Sequence, residues 1–295
     1  SASIHHNPDH LYSSGSYSVQ LVSENGICLD TFFVDDFVNI GVEIIPEFIA
    51  DNLSICEGGL VSFNDVTNHL VDSWVWDFGD GSTSYLQNPS HVYSDSGFHT
   101  VKLTTSVNGS CVETMEMVNY IEVFGSPLVE FTTDTLIYCS VPASVSLFDG
   151  TLDAVSWRWT FENGDTSILS DPVIDFFVPG EYDVQLEVTD VNGCKSNINK
   201  DKYIKIDELI PAFFVLDSIV CRSDTVIFID SSTSFYPITY YNWDFGDGDT
   251  SQSQNPSHSY DIVSSFDISL NIENSIGCVV DMNKTSFIQT VGPPS

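Results

Sequence analysis

The sequence contains very few basic residues. Lys and Arg together number 8 against 42 Asp and Glu, so the 295-residue chain has a formal net charge of −34. Phosphate binding requires clustered Lys and Arg, and anionic membrane surfaces attract the same side chains, so this composition excludes nucleic acid as a partner and disfavours membrane surfaces. No apolar run approaches the ~20 residues of a membrane-spanning helix, and we expect no membrane insertion.

Catalytic motifs are missing as well. The sequence has no HExxH, GxSxG, P-loop or GxGxxG pattern, each of which has a defined catalytic or nucleotide-binding role. We therefore predict that this chain is not an enzyme. Disorder often accompanies high net charge, but 42% hydrophobic and 13% aromatic residues are enough to build packed cores.

Helical periodicity is absent, and strand periodicity takes its place. No window keeps a helical apolar period over ten residues, whereas polar and apolar side chains alternate through residues 182–188 and 266–272. Short strands separated by Gly, Asp, Asn and Pro turns are typical of an all-β protein built from immunoglobulin-like sandwiches.

One unit of about 83 residues recurs along the chain, as the positions of Trp76, Trp159 and Trp243 show, and the cysteines keep the same step. We predict the C-terminal half of a domain (1–45), three whole domains (46–126, 127–210 and 211–292) and the start of a further repeat (293–295). The chain opens without Met or a signal peptide, and we expect it to be cut from a longer array. The strands missing from the first segment would come from an upstream segment or a partner chain.

The sharpest motif joins a core anchor to a tight turn. Residues 76–81 and 243–248 both read WDFGDG, and residues 159–164 read WTFENG. Alternation places Trp and Phe on the core face, and Asp-Gly or Asn-Gly supplies the positive φ angles of a hairpin. The predicted core and turn positions are Trp76, Phe78, Asp80, Gly81, Trp159, Phe161, Asn163, Gly164, Trp243, Phe245, Asp247 and Gly248.

The acidic turns leave a metal site open as an alternative, because calcium prefers carboxylate oxygens. The candidate calcium ligands are Asp77, Asp80, Asp244 and Asp247. The middle copy keeps the Trp, the Phe and the Asn-Gly turn but loses most of these acids and glycines, which favours a structural hairpin, and no cofactor is required. His91 and His258 follow the hairpin in two repeats, but Ile174 replaces them in the other, so we expect these side chains to pack against the turn.

Two cysteines in every whole repeat indicate an oxidising, extracellular compartment. We predict one disulfide in each repeat, pairing Cys56 with Cys111, Cys139 with Cys194, and Cys221 with Cys278. Each bond would close a loop of about 55 residues, worth roughly 4 kcal/mol in the loop-entropy model. Cys28 has no partner on this view, because the other half of its repeat is missing. Zinc is the alternative, but no CxxC spacing supports it.

The hairpin motif, the N-P-x-H-x-Y sequences at 88–93 and 255–260, and the G-x-Y-x-V-x-L sequence at 180–186 resemble the PKD (polycystic kidney disease) domain family. The resemblance covers essentially the whole chain. It implies tandem immunoglobulin-like β-sandwiches of the PKD type in an end-to-end array, generally non-enzymatic and found in secreted and surface proteins. The extra cysteine pair is similar to the subtype repeated in very large secreted proteins of gliding bacteria that use the type IX secretion route.

These observations favour a structural or adhesive role. The leading hypothesis is a rigid, disulfide-locked stalk or extracellular filament of a cell-surface adhesin, with neighbouring repeats as its contacts and self-association as an option. Net charges of −6, −10, −10 and −8 in the four segments from 1–45 to 211–292 show no local binding patch. The alternative is a carbohydrate- or protein-binding accessory module of a secreted hydrolase. Its candidate ligand-binding residues are Tyr236, Tyr240 and Tyr241.

Overall fold

Alternating apolar residues and Gly-, Asp- and Asn-rich turns give the chain its β structure. The computed structural model describes residues 4–41, 43–107 and 111–292, and every regular element in these ranges is a β-strand. None of the described residues forms a helix long and apolar enough to cross a membrane. The further repeat predicted at 293–295 lies outside the described residues. The chain divides into two compact units, residues 1–126 and 127–295, and each is described by itself.

The first unit contains a two-stranded hairpin and one sandwich. Strands β1 (Gly15–Glu24) and β2 (Leu29–Ile40) pair in antiparallel fashion. The first sandwich contains β3 (Phe48–Ala50), β4 (Ser54–Cys56), β5 (Gly59–Asp65), β6 (Ser73–Asp77), β7 (Thr83–Ser84), β8 (Ser90–Tyr93), β9 (Gly97–Val107) and β10 (Cys111–Phe124). Its two sheets have the strand orders β4-β10-β9-β6-β7 and β3-β5-β8.

The second unit contains two sandwiches with the same design. The second sandwich contains β11 (Phe131–Thr133), β12 (Ile137–Tyr138), β13 (Ala143–Asp149), β14 (Ala154–Phe161), β15 (Thr166–Ser167), β16 (Val173–Phe176), β17 (Gly180–Asp190) and β18 (Lys195–Ile206). The third contains β19 (Phe213–Val215), β20 (Ile219–Cys221), β21 (Thr225–Asp230), β22 (Ile238–Asp244), β23 (Thr250–Ser251), β24 (Ser257–Ser259), β25 (Ser265–Asn274) and β26 (Val279–Val291). In both sandwiches a five-stranded sheet faces a three-stranded sheet, and the strand order matches that of the first.

A β-bulge recurs in four hairpins, β1–β2, β9–β10, β17–β18 and β25–β26. The residues with positive φ at this bulge are Asp36, Asn119, Lys202 and Ser286. Each backbone N–H donates to a side-chain oxygen on the opposite strand, from Ser18, Thr100, Asp183 and Asp267 respectively. β1 and β2 share the bulge with β9–β10, β17–β18 and β25–β26, as the prediction of a C-terminal half-repeat at residues 1–45 requires. Several of their apolar side chains are exposed, including Leu21, Phe32 and Phe37. What completes this half remains a prediction.

Each sandwich core is centred on one tryptophan. Trp76, Trp159 and Trp243 are completely buried between the two sheets, and a Phe two residues later packs beside each. The indole N–H donates to a backbone carbonyl ten residues downstream in every case, at distances of 2.9, 2.8 and 3.0 Å. The polar atom of the indole is thereby satisfied inside an apolar core.

Candidate functional site: the joint between the second and third sandwiches

The cysteines do not pair within repeats, so the predicted pairing was wrong. Cys139 of the second sandwich is bonded to Cys278 of the third, with a Cα–Cα distance of 5.4 Å. This bond excludes the predicted partners Cys194 and Cys221. Cys111 is free, which excludes the predicted Cys56–Cys111 bond.

Strand geometry explains why the intra-repeat pairs cannot form. Cys139 follows Tyr138, which lies beside Ile206 at the end of β18, whereas Cys194 precedes Lys195 at the start of that strand. Twelve residues of strand separate the two positions by about 35–40 Å. A disulfide requires Cα atoms less than about 7 Å apart. The same argument applies to the other repeats, because Cys56 pairs with Phe124 and Cys221 with Val291 at the far ends of β10 and β26.

Two structural classes of cysteine follow from this geometry. Strand-end cysteines lie beside the end of the last strand of a repeat, and they are Cys56, Cys139 and Cys221. Turn cysteines lie at the start of that strand or directly before it, and they are Cys28, Cys111, Cys194 and Cys278. Cys56 and Cys194 are also disulfide-bonded, whereas Cys28, Cys111 and Cys221 are free and exposed.

A buried carboxylate lies in the same joint. Asp207 directly follows β18 and is fully buried, and none of the ion pairs among the described residues includes it. Its Oδ1 accepts hydrogen bonds from the backbone N–H groups of Glu208 and Phe235, both at 2.8 Å. Its Oδ2 accepts from the Ser234 hydroxyl and the Asn274 amide. A buried charge is tolerated when donors satisfy it in this way.

Asn274 connects the carboxylate to the disulfide. Its side-chain amide donates to Asp207, and its Oδ1 accepts from the backbone N–H of Cys278 at 2.9 Å. One amide therefore bridges the end of the second sandwich and the turn that holds the third sandwich's cysteine. Together, Cys139, Asp207, Asn274 and Cys278 form what we call the 2–3 joint.

Tyr236 lies at the edge of this joint rather than on an open surface. Burial, together with the nearby Glu181 carboxylate of the second sandwich, raises the pKa of Tyr236 to about 12. Its hydroxyl is inaccessible to solvent and has no partner within hydrogen-bond geometry among the described residues. Glu181 is itself paired with Lys202 at 2.7 Å.

The three tyrosines predicted as ligand-binding residues do not form one platform. Tyr241 packs against the third core, and burial followed by the nearby Asp230 carboxylate raises its pKa to about 12. Tyr240 lies on β22 and is 38% exposed. Phe235 presents more aromatic surface than Tyr240, since 57% of it is exposed.

The predicted calcium ligands serve the hairpin turns. Asp77 and Asp244 each accept a hydrogen bond from the backbone N–H two residues later, at 3.0 and 2.9 Å. Asp80 and Asp247 do the same for their own turns, at 2.9 and 3.1 Å. Every candidate carboxylate therefore already has a structural partner. Calcium binding stays a prediction.

Each of the two histidines pairs with a turn aspartate. His91 Nε2 lies 2.6 Å from Asp80 Oδ2, and His258 Nε2 lies 2.7 Å from Asp247 Oδ2. Each imidazole also stacks on the motif Phe, with ring centroids 4.2 and 4.3 Å apart. Partial burial acts to raise the pKa of Asp80 and of Asp247, but hydrogen bonds from the histidine and from a backbone N–H outweigh it, so both pKa values are lowered.

In the third sandwich, three side chains that could ligate a metal lie close together. The ligand atoms of Asp247, Asp249 and His258 are within 4.8 Å of one another. Ser82 occupies the position of Asp249 in the first sandwich, and Asp244 is not part of the group. The Asp247–His258 hydrogen bond accounts for the closeness of two of its members.

Sequence reasoning did not identify Asp207. The corresponding positions in the first and third sandwiches, opposite Cys56 and Cys221, are Phe124 and Val291, so no repeating pattern marks the residue. The one available signal was an acidic residue directly after a strand, at a predicted domain boundary.

Three eight-stranded sandwiches of identical strand order, with the same core tryptophan and bulge, define a tandem array of immunoglobulin-like domains. The chain belongs to the PKD domain family, whose profile matches residues 45–123, 126–206 and 211–289.

Individual similar proteins share smaller parts of the chain. Collagenase ColA of Bacillus cereus is 54% identical over 37 residues, which is 12% of this chain and 4% of that protein, so the match spans a small fraction of the relative. The crystal structure of the PKD1 domain of the Vibrio cholerae metalloprotease PrtV is 24% identical, with a TM-score of 0.25, over 28% of this chain and 98% of that domain. The three N-terminal domains of the bacteriophage RB49 outer capsid protein Hoc are 12% identical, with a TM-score of 0.42, over 85% of this chain and 100% of that one.

Proposed function

We propose that this chain is a non-catalytic structural segment of a secreted or cell-surface protein. In this role, covalently linked PKD repeats form a stiff stalk or filament that holds an attachment site away from its anchor. The observation that carries the proposal is the 2–3 joint. A binding or catalytic module needs each domain to fold, but only a mechanical role gives a reason to lock one domain to the next.

The disulfide links the two sandwiches of the second unit. Cys139 and Cys278 have a sequence separation of 139, and the segment between them includes most of both sandwiches of the second unit. In the loop-entropy model, closing a loop of this length stabilises the folded state by about 5 kcal/mol. When the chain is pulled from its ends, tension passes through the bond, so residues 140–277 cannot be extended while it is intact.

The buried carboxylate limits bending at the same place. Asp207 accepts hydrogen bonds from two neighbouring loops of the third sandwich, around Phe235 and around Asn274. Rotation of one sandwich against the other would break hydrogen bonds to a fully buried carboxylate, at a cost of about 2–4 kcal/mol. The joint is therefore expected to be stiff even when the disulfide is reduced.

The charge distribution suits an extended protein. All four segments are acidic, and like-charged repeats repel one another over a screening length of ~8 Å at physiological salt. This repulsion opposes folding back and aggregation. The disulfides are consistent with an oxidising compartment outside the cytosol, which agrees with the extracellular location we infer.

Single-molecule stretching of the full chain tests the proposal. Under oxidising conditions the extension at complete unfolding should be shorter than after reduction by at least about 460 Å, since 139 residues at 3.3 Å each are locked. The Cys139→Ser/Cys278→Ser variant should extend further than the parent without reductant. Cys28→Ser removes an exposed free thiol and should change nothing. Equal extension of the oxidised and reduced chains would contradict the proposal.

A second candidate function is an accessory module of a secreted hydrolase. The sequence match to a collagenase is the observation that favours it, and Phe235 and Tyr240 are exposed aromatic side chains on which a polymer would stack. Binding of the chain to insoluble collagen and to a glycan array, lost on Tyr240→Ala but kept on Tyr85→Ala, would support this role. Tyr85 is the matched control because it is exposed on the first sandwich. No binding to either substrate would leave the mechanical role as the proposal.

A further inference from the structure

The third sandwich has a free thiol at the position where the second sandwich forms its inter-domain bond. Cys221 lies opposite Val291 in the parallel pairing of β20 with β26. Cys139 follows the corresponding pairing of Tyr138 with Ile206 in the second sandwich. Cys221 is exposed and free, whereas Cys139 is bonded to Cys278.

The strand leading into each of the two strand-end cysteines makes the same ladder hydrogen bond. The N–H of Gln289 donates to the carbonyl of Ser218 at 2.8 Å, and the N–H of Lys205 donates to that of Leu136 at the same distance. Beside Cys221, the N–H of Arg222 donates to the carbonyl of Val291 at 3.0 Å, and beside Cys139, the N–H of Asp207 donates to the carbonyl of Tyr138 at 2.9 Å. Cys221 is therefore held at the end of a strand by ladder hydrogen bonds, as Cys139 is.

The second member of the Cys139–Cys278 disulfide is a turn cysteine. The backbone N–H groups of Cys194 and Cys278 donate to the side-chain oxygens of Asp190 and Asn274, at 2.8 and 2.9 Å. Both turn cysteines are buried and both are in disulfides. A repeat of this type therefore presents a cysteine on a preformed turn, in the position from which Cys278 reaches the preceding sandwich.

We propose that Cys221 is one half of a second inter-repeat disulfide, and that its partner is the turn cysteine of a PKD repeat that follows in the same polypeptide. The bond would repeat the Cys139–Cys278 linkage one repeat further along. This inference rests on the equivalence of the two strand ends and does not depend on the mechanical role proposed above.

Bond formation requires a disulfide oxidant, for which oxidised glutathione is the probe. The Cys221 thiolate attacks one glutathione sulfur, forming a mixed disulfide and releasing one glutathione thiolate. The thiolate of the turn cysteine then attacks the Cys221 sulfur and displaces the second glutathione. The two protein thiols lose two electrons and two protons, and the oxidant is reduced to two glutathione molecules.

A second copy of this chain is the competing partner. Cys111 is a free turn cysteine. Cys221 of one molecule and Cys111 of another would therefore also pair a strand-end cysteine with a turn cysteine, as Cys139 and Cys278 do. Cys111 lies against Gly41, which follows β2 as Asp207 follows β18. The place where a partner would approach Cys111 is therefore next to the chain's own N-terminal hairpin, which favours a following repeat over a second copy as the partner of Cys221.

The test extends the full chain by one repeat. Residues 208–291 are fused directly after Val291, which then takes the place that Asp207 has in the 2–3 joint. The folded protein is treated with oxidised glutathione, its free thiols are alkylated, and its disulfides are mapped by mass spectrometry without reduction. The parent has three free cysteines, so a new bond predicts three alkylated cysteines in the extended chain, against five without it. The expected cross-linked peptide joins Cys221 to the added turn cysteine.

Two further variants make the outcome decisive. Cys221→Ser in the extended chain should leave the added turn cysteine alkylated, which shows that the bond is specific. Val291→Asp in the extended chain places a carboxylate where Asp207 lies in the 2–3 joint. This variant controls for the case in which the added repeat fails to pack against the third sandwich. Five alkylated cysteines with and without Val291→Asp would overturn the proposal. Cross-links of Cys221 to Cys111 or Cys221 of another molecule in the extended chain would also overturn it, in favour of a second copy.

Discussion

The second and third sandwiches have the same fold but different turns. In the third, Gly246 has positive φ, and Asp247 pairs with His258. In the second, Glu162 and Asn163 occupy the first two positions, and Ile174 replaces the histidine. Both nevertheless bury their tryptophan completely and keep glycine with positive φ at the end of the turn. The comparison shows that the tryptophan and this glycine are what the fold requires, and that the Asp–His pair is an added local contact.

The largest effect is expected where the two sandwiches agree. Trp243→Ala should destabilise the third sandwich by about 3–5 kcal/mol, because it leaves a large cavity and an unpaired carbonyl at Ser253. Trp159→Ala should destabilise the second by a similar amount. Hydrogen exchange measured on peptides from each sandwich checks both variants. Trp157→Ala, at a half-buried position on the same strand, is the milder control. Unequal losses of unfolding free energy in Trp243→Ala and Trp159→Ala would contradict the conclusion that the tryptophan has the same role in both sandwiches.

The next largest effect is a difference in stability between substitutions at the same position of the two turns. A Cβ at Gly246 would lie 2.3 Å from the Asp267 carbonyl oxygen, and the φ of +81° is unfavourable for any other residue. Gly246→Ala should therefore cost more than about 2 kcal/mol. Glu162→Ala, at the same place in the second sandwich, should cost less than about 1 kcal/mol because Glu162 does not have positive φ. Urea unfolding followed by peptide-level exchange gives both values, and a tolerated Gly246→Ala would show that the backbone there adapts.

A smaller effect is expected from the Asp–His pair. Asp247→Asn should destabilise the third sandwich by about 1 kcal/mol at neutral pH, since it weakens a charge-assisted hydrogen bond at a partly exposed site. The reverse exchange, Asn163→Asp with Ile174→His in the second sandwich, should recover a similar amount there. If that double variant leaves the second sandwich unchanged or less stable, the pair depends on Gly246 and is not a separable contact.

The smallest effect is the pH dependence of the same pair. The folded-state pKa of Asp247 is lowered from its ordinary value of 3.8 because, although burial opposes it, hydrogen bonds from His258 and the Asp249 N–H outweigh burial. Its contribution to stability is therefore present above pH 3.8 and is lost as the pH falls through the lower folded value. The difference in unfolding free energy between the parent and Asp247→Asn should shrink from pH 5 to pH 3. A constant difference would contradict the role of the carboxylate charge.

The sequence predicted the parts of the fold that depend on local pattern. Alternation around Trp159 and Trp243 identified the core, and Asn-Gly or Asp-Gly identified the hairpin, because both signals depend on residues next to each other in the chain. Periodic cysteines identified the repeat. Periodicity is the same whether Cys139 pairs with Cys194 or with Cys278, so it did not identify the bond. Only the length of β18, which separates Cys139 from Cys194, decides between them.

Asp207 was unpredictable for a related reason. Its four donors come from its own neighbour and from two distant loops of the next sandwich, at Ser234, Phe235 and Asn274. Nothing in the local sequence of an acidic linker residue indicates that such donors will surround it. Contacts between domains depend on the ends of strands, and strand ends are the part of a β-sandwich that local pattern defines least well.

The Cys139–Cys278 bond also bears on survival in the presence of proteases. Exposed loops such as those around Leu152, Phe177 and Ile262 lie between the two cysteines, whose sequence separation is 139. Because the bond closes this segment into a covalent ring, a single backbone cut at any of these loops opens the ring but leaves both fragments attached. A chain nicked once in this part would keep its ends connected and would go on joining whatever lies on either side of it.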